Sequence, residues 1–410
     1  MIKHDENYIQ QALLTFLRDD IAQNALPNLL MIEWEELIVL AKKQHVAEYL
    51  YYHLKQNHLL ELIPNEQKNM MAESFKKRTF RNLALMAEFH RVVNVLHQHH
   101  IPVIALKGLH LVESVYPHIA TRFFRDLDVL VPIPHGREAY NCVLNMGYKS
   151  DKKLTDLDFS FQYHNHFDQL IHTKNKTVLE IHGYISKDFK NDALLLWENA
   201  IASTNKAHHH LTLDLEDLLI HLCVHISHGD LFKIDLRHYL DIYLVLQKYK
   251  EAIHWDKVIQ RSQDRGCFGG VAIVLTIVEQ LFHIDISETF THNIQNNEKA
   301  KQTIKYALEF LWMYDRSSKG YKEYKTKVPL PHHNGSFFKK GLMRLFLNKE
   351  ELAFNYSLDK NSFKVYFYYP VRFIDLVRKH SKTTLQNQIV QKNKSFIEKT
   401  KYVNNYLLNV

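Results

Sequence analysis

IPVIALKGLHLVESVYPHIATRFFRDLDVLVP, residues Ile101–Pro132, is the stretch that decides the reading of this chain. Val103 to Leu106 is a short apolar run, long enough for one buried strand. Lys107-Gly108 ends it, and Leu109 to Tyr116 predicts two turns of helix, stopped before Pro117 because the residue preceding a proline avoids the helical region. A loop carrying Arg122 leads into Asp126-Leu127-Asp128-Val129-Leu130-Val131. Side chains alternate along a strand, so Asp126 and Asp128 share one face while Leu127, Val129 and Val131 point into a core. Two adjacent carboxylates repel, and need a cation, a shared proton or a cationic side chain between them. A hard divalent cation, Mg²⁺ with Mn²⁺ as the alternative, meets that need, since it takes oxygen ligands and adds phosphate oxygens to them. Gly108 lets a backbone approach a phosphate closely, the helix that follows offers free N–H groups, and Lys107 and Arg122 add positive charge. Together these residues sketch a metal–triphosphate site.

The composition sets the bounds. A chain of 410 residues has room for two or three domains. With 46% hydrophobic and 24% charged residues it is globular, and only 11 Gly and 9 Pro favour long helices over many turns. The net charge of +7 suits a phosphorylated partner without requiring one. Cys142, Cys223 and Cys267 lie far apart with no metal spacing, which predicts a reducing, cytoplasmic setting. Residues 1–20 are too charged for a signal peptide, and the apolar stretch at Val271–Val278 is far too short to span a membrane.

Working outward, residues 5–100 read as helices. Trp34, Leu37, Ile38 and Ala41 form one apolar stripe, and Leu85, Phe89, Val92, Val93 and Leu96 another on a long helix that feeds the first strand. Lys76, Lys77, Arg78 and Arg81 lie early on that helix, as a solvated face or a contact for an anionic substrate. Residues 135–146 predict a helix closed by Gly147. Phe161–Leu170 and Val178–His182, joined by the turn Thr173–Lys176, predict an antiparallel pair beside the Asp126–Asp128 strand. Glu180 and His182 share a face of the returning strand. His164 and His166 share a face of its partner, but without cysteine or rigid spacing they do not read as a zinc site.

The motifs together resemble the uncharacterised nucleotidyltransferases of bacteria, a branch of the DNA polymerase β-like nucleotidyltransferase superfamily. The residues that carry the resemblance are Leu106-Lys107-Gly108, Tyr116-Pro117, Arg122 and Asp126-Leu127-Asp128-Val129-Leu130-Val131, with Glu180-Ile181-His182 where that family has an acid-x-His. The resemblance implies an α+β fold: a polymerase β-like core, a small mixed sheet with helices, flanked by helical N- and C-terminal domains. It implies Asp126, Asp128 and Glu180 as metal ligands and catalytic residues, with Glu180 as third carboxylate or base, and Lys107, Gly108, Arg122 and His182 around the nucleotide. Two departures stand out. Leu109 follows Gly108 where many superfamily members have a hydroxyl. Arg125 replaces a small residue, and either pairs with Asp126 and crowds the metal or holds a substrate phosphate.

Farther along, Asp214 is a helix-cap candidate, and His221, His225 and His228 form a polar stripe beside an apolar face of Leu215, Leu218, Leu219, Leu222 and Ile226. The family's H-then-R-x-x-x-D segment falls on His225, Arg237 and Asp241, as a polar cluster stapling two helices or as one facing the nucleotide. From Lys319 the composition turns basic and aromatic: Lys322, Lys325, Lys339 and Lys340, then Tyr366-Phe367-Tyr368-Tyr369. Such a segment suits a nucleic-acid strand, an anionic membrane, or a wrap over the helical domain, which is the preferred reading. The expected division is 1–100 helical, 101–213 nucleotidyltransferase core, 214–318 helical, and 319–410 wrap and tail.

The expected activity is Mg²⁺-dependent transfer of a nucleoside monophosphate from a nucleoside triphosphate to a small-molecule, carbohydrate or protein acceptor, with nucleic acid less favoured. The rivals are a catalytically silent binding protein on the same fold, supported by Leu109 and Arg125, and a phosphotransferase using the same pocket.

Overall fold

The structure, a computed structural model, describes residues 6–19, 26–150, 166–185, 193–203 and 209–313, with 347, 349, 352–353, 356, 358, 361–375 and 394–408. Helices Glu6–Leu17, Met31–Lys43, Ala47–Gln56 and Asn65–Gln98 precede the sheet. The last is the long helix, and the stripe read from sequence is its buried face: Leu85, Phe89, Val92, Val93 and Leu96 pack against the sheet.

Seven strands form one mixed sheet among the described residues: β1 Ile104–Ala105, β2 Asp126–Leu130, β3 Tyr148–Ser150, β4 Leu170–His172, β5 Val178–His182, β6 Ile201–Ala202 and β7 Leu211–Thr212. Their order is β3-β4-β5-β2-β1-β7-β6, which makes β2 central. The β4–β5 pair is antiparallel, and β5 lies parallel to β2. The pair therefore sits beside the Asp126–Asp128 strand, as expected. Its first strand, however, begins at Leu170. His166 makes only an isolated bridge to His182, and the rest of the expected Phe161–Leu170 strand up to Asn165, with His164, lies outside the described residues.

The sheet separates two cores. Leu127, Val129, Val131, Leu179 and Ile181 face the long helix and the helix Gly136–Asn145. That second helix ends as expected, with Gly147 at φ +97° just past its end. On the opposite face Ile104 and Leu130 enter a larger core shared by Ile9–Met71 and by Leu213–Leu311. The first and third expected segments thus pack as one body.

Helices Leu215–Val224, Leu236–Tyr249, Trp255–Asp264, Phe268–Phe282, Glu288–Gln295 and Glu298–Met313 complete that body. Asp214 caps the first of them, its carboxylate accepting from the Asp217 backbone N–H at 2.8 Å. No helix among the described residues is long and apolar enough to cross a membrane. Lys322, Lys325, Lys339 and Lys340 lie outside the described residues. The Tyr-rich run turns out helical. Val365 is buried in a small satellite core with Leu352 and Ala353, whereas Tyr366 and Phe367 are exposed.

Candidate active site

The parallel register of β2 and β5 sets Asp128 directly opposite Glu180. Both strands place every second side chain on one face, so His182 joins them there. One oxygen of Asp128, Oδ1, accepts from Lys107 Nζ at 3.0 Å and from His182 Nε2 at 2.8 Å. His182 Nε2 also lies 3.6 Å from Glu180 Oε2, and Gln169 Nε2 donates to Glu180 Oε1 at 2.6 Å. Asp128 and His182 are buried. The cation that the paired carboxylates call for is, in this structure, the Lys107 ammonium.

The helix expected from Leu109 begins at Lys107 and runs to Ser114, and Lys107 adopts φ +45°. The left-handed region is costly for a residue with a side chain, and such strain collects at functional positions.

Each charge in the cluster shifts its neighbours. Burial alone would raise Asp128, but Lys107 and His182 hold its carboxyl well below the usual range. Burial would lower Lys107, but Asp128 and Glu180 outweigh it and hold the ammonium above its ordinary value. His182 behaves alike, raised by Asp128 and Glu180 against the effect of burial. Glu180 is lowered, the His182 hydrogen bond overcoming its own burial. Asp126 alone goes up, through burial and the Asp128 charge. The cluster thus biases Asp128 and Glu180 toward their ionised forms, Lys107 and His182 toward their charged forms, and Asp126 toward its neutral form.

One ligand atom each from Asp128, Glu180 and His182 lies within 4.8 Å of the others. Two carboxylate oxygens with an imidazole nitrogen suit a divalent cation, with Mn²⁺ accepting the nitrogen more readily than Mg²⁺. Asp126, expected with them, is half-buried on the same strand and stands outside this convergent set.

Arg122 is paired with an acid of another element. It is buried, and donates from Nε and NH2 to Asp241 Oδ1 and Oδ2 at 2.9 and 2.6 Å. Tyr116 Oη donates to the same Asp241 at 2.6 Å. The guanidinium fork is filled by a carboxylate, so Arg122 anchors the loop to the helix Leu236–Tyr249. Gly108 has a matching reason to lack a side chain: a Cβ there would stand 2.6 Å from Arg122 NH1 and 2.9 Å from Phe124 Cβ. Leu109 is a core residue. Arg125 is exposed over the Phe123 ring at 4.9 Å, and the Arg125–Asp126 ion pair is not formed among the described residues.

The His225–Arg237–Asp241 group divides. Asp241 takes Arg122, Arg237 Nε donates to Asp235 Oδ1 at 3.2 Å, and His225 lies 3.5 Å from Asp230. His225 meets the helix Leu236–Tyr249 through the His238 ring, 5.4 Å away and edge to face, while Asp241 ties the Arg122 loop to that helix. Two residues of the site went unread in the sequence. Gln169, which orients Glu180, precedes a strand three residues long and carries no pattern. His221 was read as part of a stripe. It is buried with both ring nitrogens lacking a hydrogen-bond partner among the described residues, and burial with the nearby Lys107 and His182 charges pushes it down to about 3.

Comparison with known proteins finds one family, described as uncharacterised nucleotidyltransferase, whose profile matches residues 31–283, well over half of the chain. The match runs from the Trp34 helix through the helix Phe268–Phe282 and contains every residue of the site. No curated protein matches.

Proposed function

The chain belongs to the family of uncharacterised nucleotidyltransferases, and from that premise we propose that it moves a nucleoside monophosphate from a nucleoside triphosphate to a hydroxyl, amine or phosphate of an acceptor, on a polymerase β-like core. The observation that carries this reading is the convergence of Asp128, Glu180 and His182, with Lys107 bonded to Asp128, on one face of two parallel strands.

Asp128 and Glu180 hold the divalent cation, Mg²⁺ or Mn²⁺, and Asp126 is the third carboxylate at the open end of β2. The cation supplies charge neutralisation for the triphosphate and a lowered pKa for an attacking oxygen. His182 donates to Asp128 and keeps that oxygen aimed. Glu180, held by Gln169, is the carboxylate placed to take the proton of an attacking hydroxyl. Lys107 and the first N–H groups of its helix hold the triphosphate, and Arg122 acts through Asp241 by fixing the loop that ends at Asp126. Catalysis on this plan is positioning and charge stabilisation. The acceptor belongs to small molecules, carbohydrates or proteins.

A second reading has one observation in its favour. The Lys107–Asp128 pair neutralises the carboxylates without any metal, which suits a silent binding protein. The two readings part in one experiment. The full chain is melted with Mg²⁺ or Mn²⁺ and each nucleoside triphosphate, and incubated with labelled triphosphate and cell extract. The expected result is a raised melting temperature, about 2.7 kcal/mol at a hundredfold excess over Kd, its loss in Asp128→Asn, and transfer of label as nucleoside monophosphate. Stabilisation without turnover favours the silent protein. No stabilisation by any triphosphate with either metal sinks both.

A further inference from the structure

Phe123, three residues before Asp126, gathers cations from separate elements. Arg78 of the long helix lies 4.2 Å from its ring centroid, Arg125 4.9 Å and Arg237 5.4 Å, while His45 stacks on it at 4.2 Å. Guanidinium groups stack on aromatic rings routinely, so the stacking alone asks for nothing more. The in-plane donors are what need an account. Arg237 uses its own: NH1 donates to the Phe123 carbonyl and Nε to Asp235. Arg78 does not. Its Nε and NH1 are enclosed without a hydrogen-bond partner among the described residues. The nearest acid atom, Glu48 Oε1, is 3.6 Å from Nε and already accepts from Ser74 Oγ at 3.0 Å. Burial biases Arg78 away from its charged form against the pull of Glu48, and the Arg81 and Arg125 charges add to the effect of burial. An arginine stays charged regardless, so Nε and NH1 remain donors with no short acceptor, on the same ring as the Arg125 charge. Buried donors without partners are rare and costly in native proteins.

We propose that Arg78 and Arg125, arrayed on the Phe123 ring, form a subsite for a phosphate group beside the carboxylate cluster. The planar forks suit phosphate oxygens, which accept two parallel N–H bonds from each. Arg125 immediately precedes Asp126, so the anion lies next to the strand that carries the carboxylates. Arg237, already satisfied, is the wall of the subsite. The proposal deepens the nucleotidyl-transfer reading and rests on it for the identity of the phosphate: the tail of the donor triphosphate or a phosphate on the acceptor.

The test uses inorganic pyrophosphate and the full chain in the presence of a metal chelator, with binding followed by calorimetry. The wild type binds, and Arg78→Gln and Arg125→Gln each weaken binding about tenfold or more, as expected for charge-assisted hydrogen bonds. Arg125 is exposed, so Arg125→Gln folds and decides the matter even if Arg78→Gln does not. Competition between pyrophosphate and the metal-bound nucleoside triphosphate assigns the subsite to the donor tail; simultaneous binding assigns it to an acceptor phosphate. A wild type that ignores pyrophosphate, or an Arg125→Gln variant that binds it undiminished, overturns the proposal. Failure of the transfer reading appears separately, as absence of metal- and triphosphate-dependent stabilisation while pyrophosphate still binds.

Discussion

Asp128 and Asp126 are the same residue type two positions apart, and the fold treats them oppositely. Asp128 is held ionised by Lys107 and His182. Removing its charge leaves the Lys107 ammonium without its hydrogen-bonded carboxylate, and breaking a buried pair costs about 3–5 kcal/mol. Asp128→Asn is therefore expected to lower the metal-free urea midpoint at pH 7, and Asp126→Asn to leave it unchanged or raise it, because burial and the Asp128 charge raise Asp126 and so oppose its ionisation. Equal loss from both would show that the two carboxylates share their environment. The pH dependence follows from the signs. Depressed Asp128 contributes stability above the unfolded carboxylate range, and that stability is lost as pH falls through its folded value. Raised His182 contributes stability fully present below 6.5 and lost as pH rises through its folded value. His182→Gln should flatten the alkaline limb alone, and a limb that stays as steep would mean the ring is not protonated in the fold. Period-two alternation was enough to put Asp126 with Asp128 and Glu180 with His182. It could not show that Glu180 stands opposite Asp128, because pairing register is a long-range property that no local pattern encodes.

The turn and helix Lys107–Ser114 show the same division one level up. Strand, Lys-Gly turn and helix were legible because an apolar run, a glycine and a proline punctuate them. Why the turn contains Gly108 was not legible, since the guanidinium that fills the space of the missing Cβ belongs to Arg122, and its anchor Asp241 lies 119 residues farther along. Two substitutions should fail for linked reasons. Gly108→Ala forces a methyl to 2.6 Å from Arg122 NH1, and overpacking of this kind costs about 1–3 kcal/mol. Asp241→Ala leaves the buried Arg122 unpaired, at about 3–5 kcal/mol. Because both act on one guanidinium, their combined cost should fall short of additivity, as it does for sites that share a partner. Strict additivity in a double-mutant cycle of denaturant midpoints would show that Gly108 is constrained by Phe124 alone. Strands β3, β6 and β7 escaped the sequence for a simpler reason: two or three residues cannot display a period.

Over the whole molecule, apolar stripes announced helices on either side of a sheet but not that the two sets share a core. Ile9–Ile63 and Leu213–Leu311 bury their faces against each other, so the described parts of residues 1–100 and 214–318 are expected to unfold together, in one denaturant transition. The same body holds histidines that composition made conspicuous without placing them. Burial pushes His110 down to about 4, and burial with the Lys107 and His182 charges pushes His221 down to about 3. For a base whose folded value is depressed, the neutral form belongs to the fold. The stability it contributes is present above the unfolded value of 6.5 and is lost as pH falls below it. Within that window each such group binds one proton more in the unfolded state, a slope of about 1.4 kcal/mol per pH unit. The protein should therefore weaken on acidification from about pH 6.5, well before its carboxylates titrate. Urea unfolding at pH 7.5, 6.0 and 5.0 measures that slope, and His221→Leu should reduce it by about one proton's worth whatever the substitution does to absolute stability. A variant slope equal to that of the wild type would mean that His221 takes up its proton inside the fold, against its burial and the nearby Lys107.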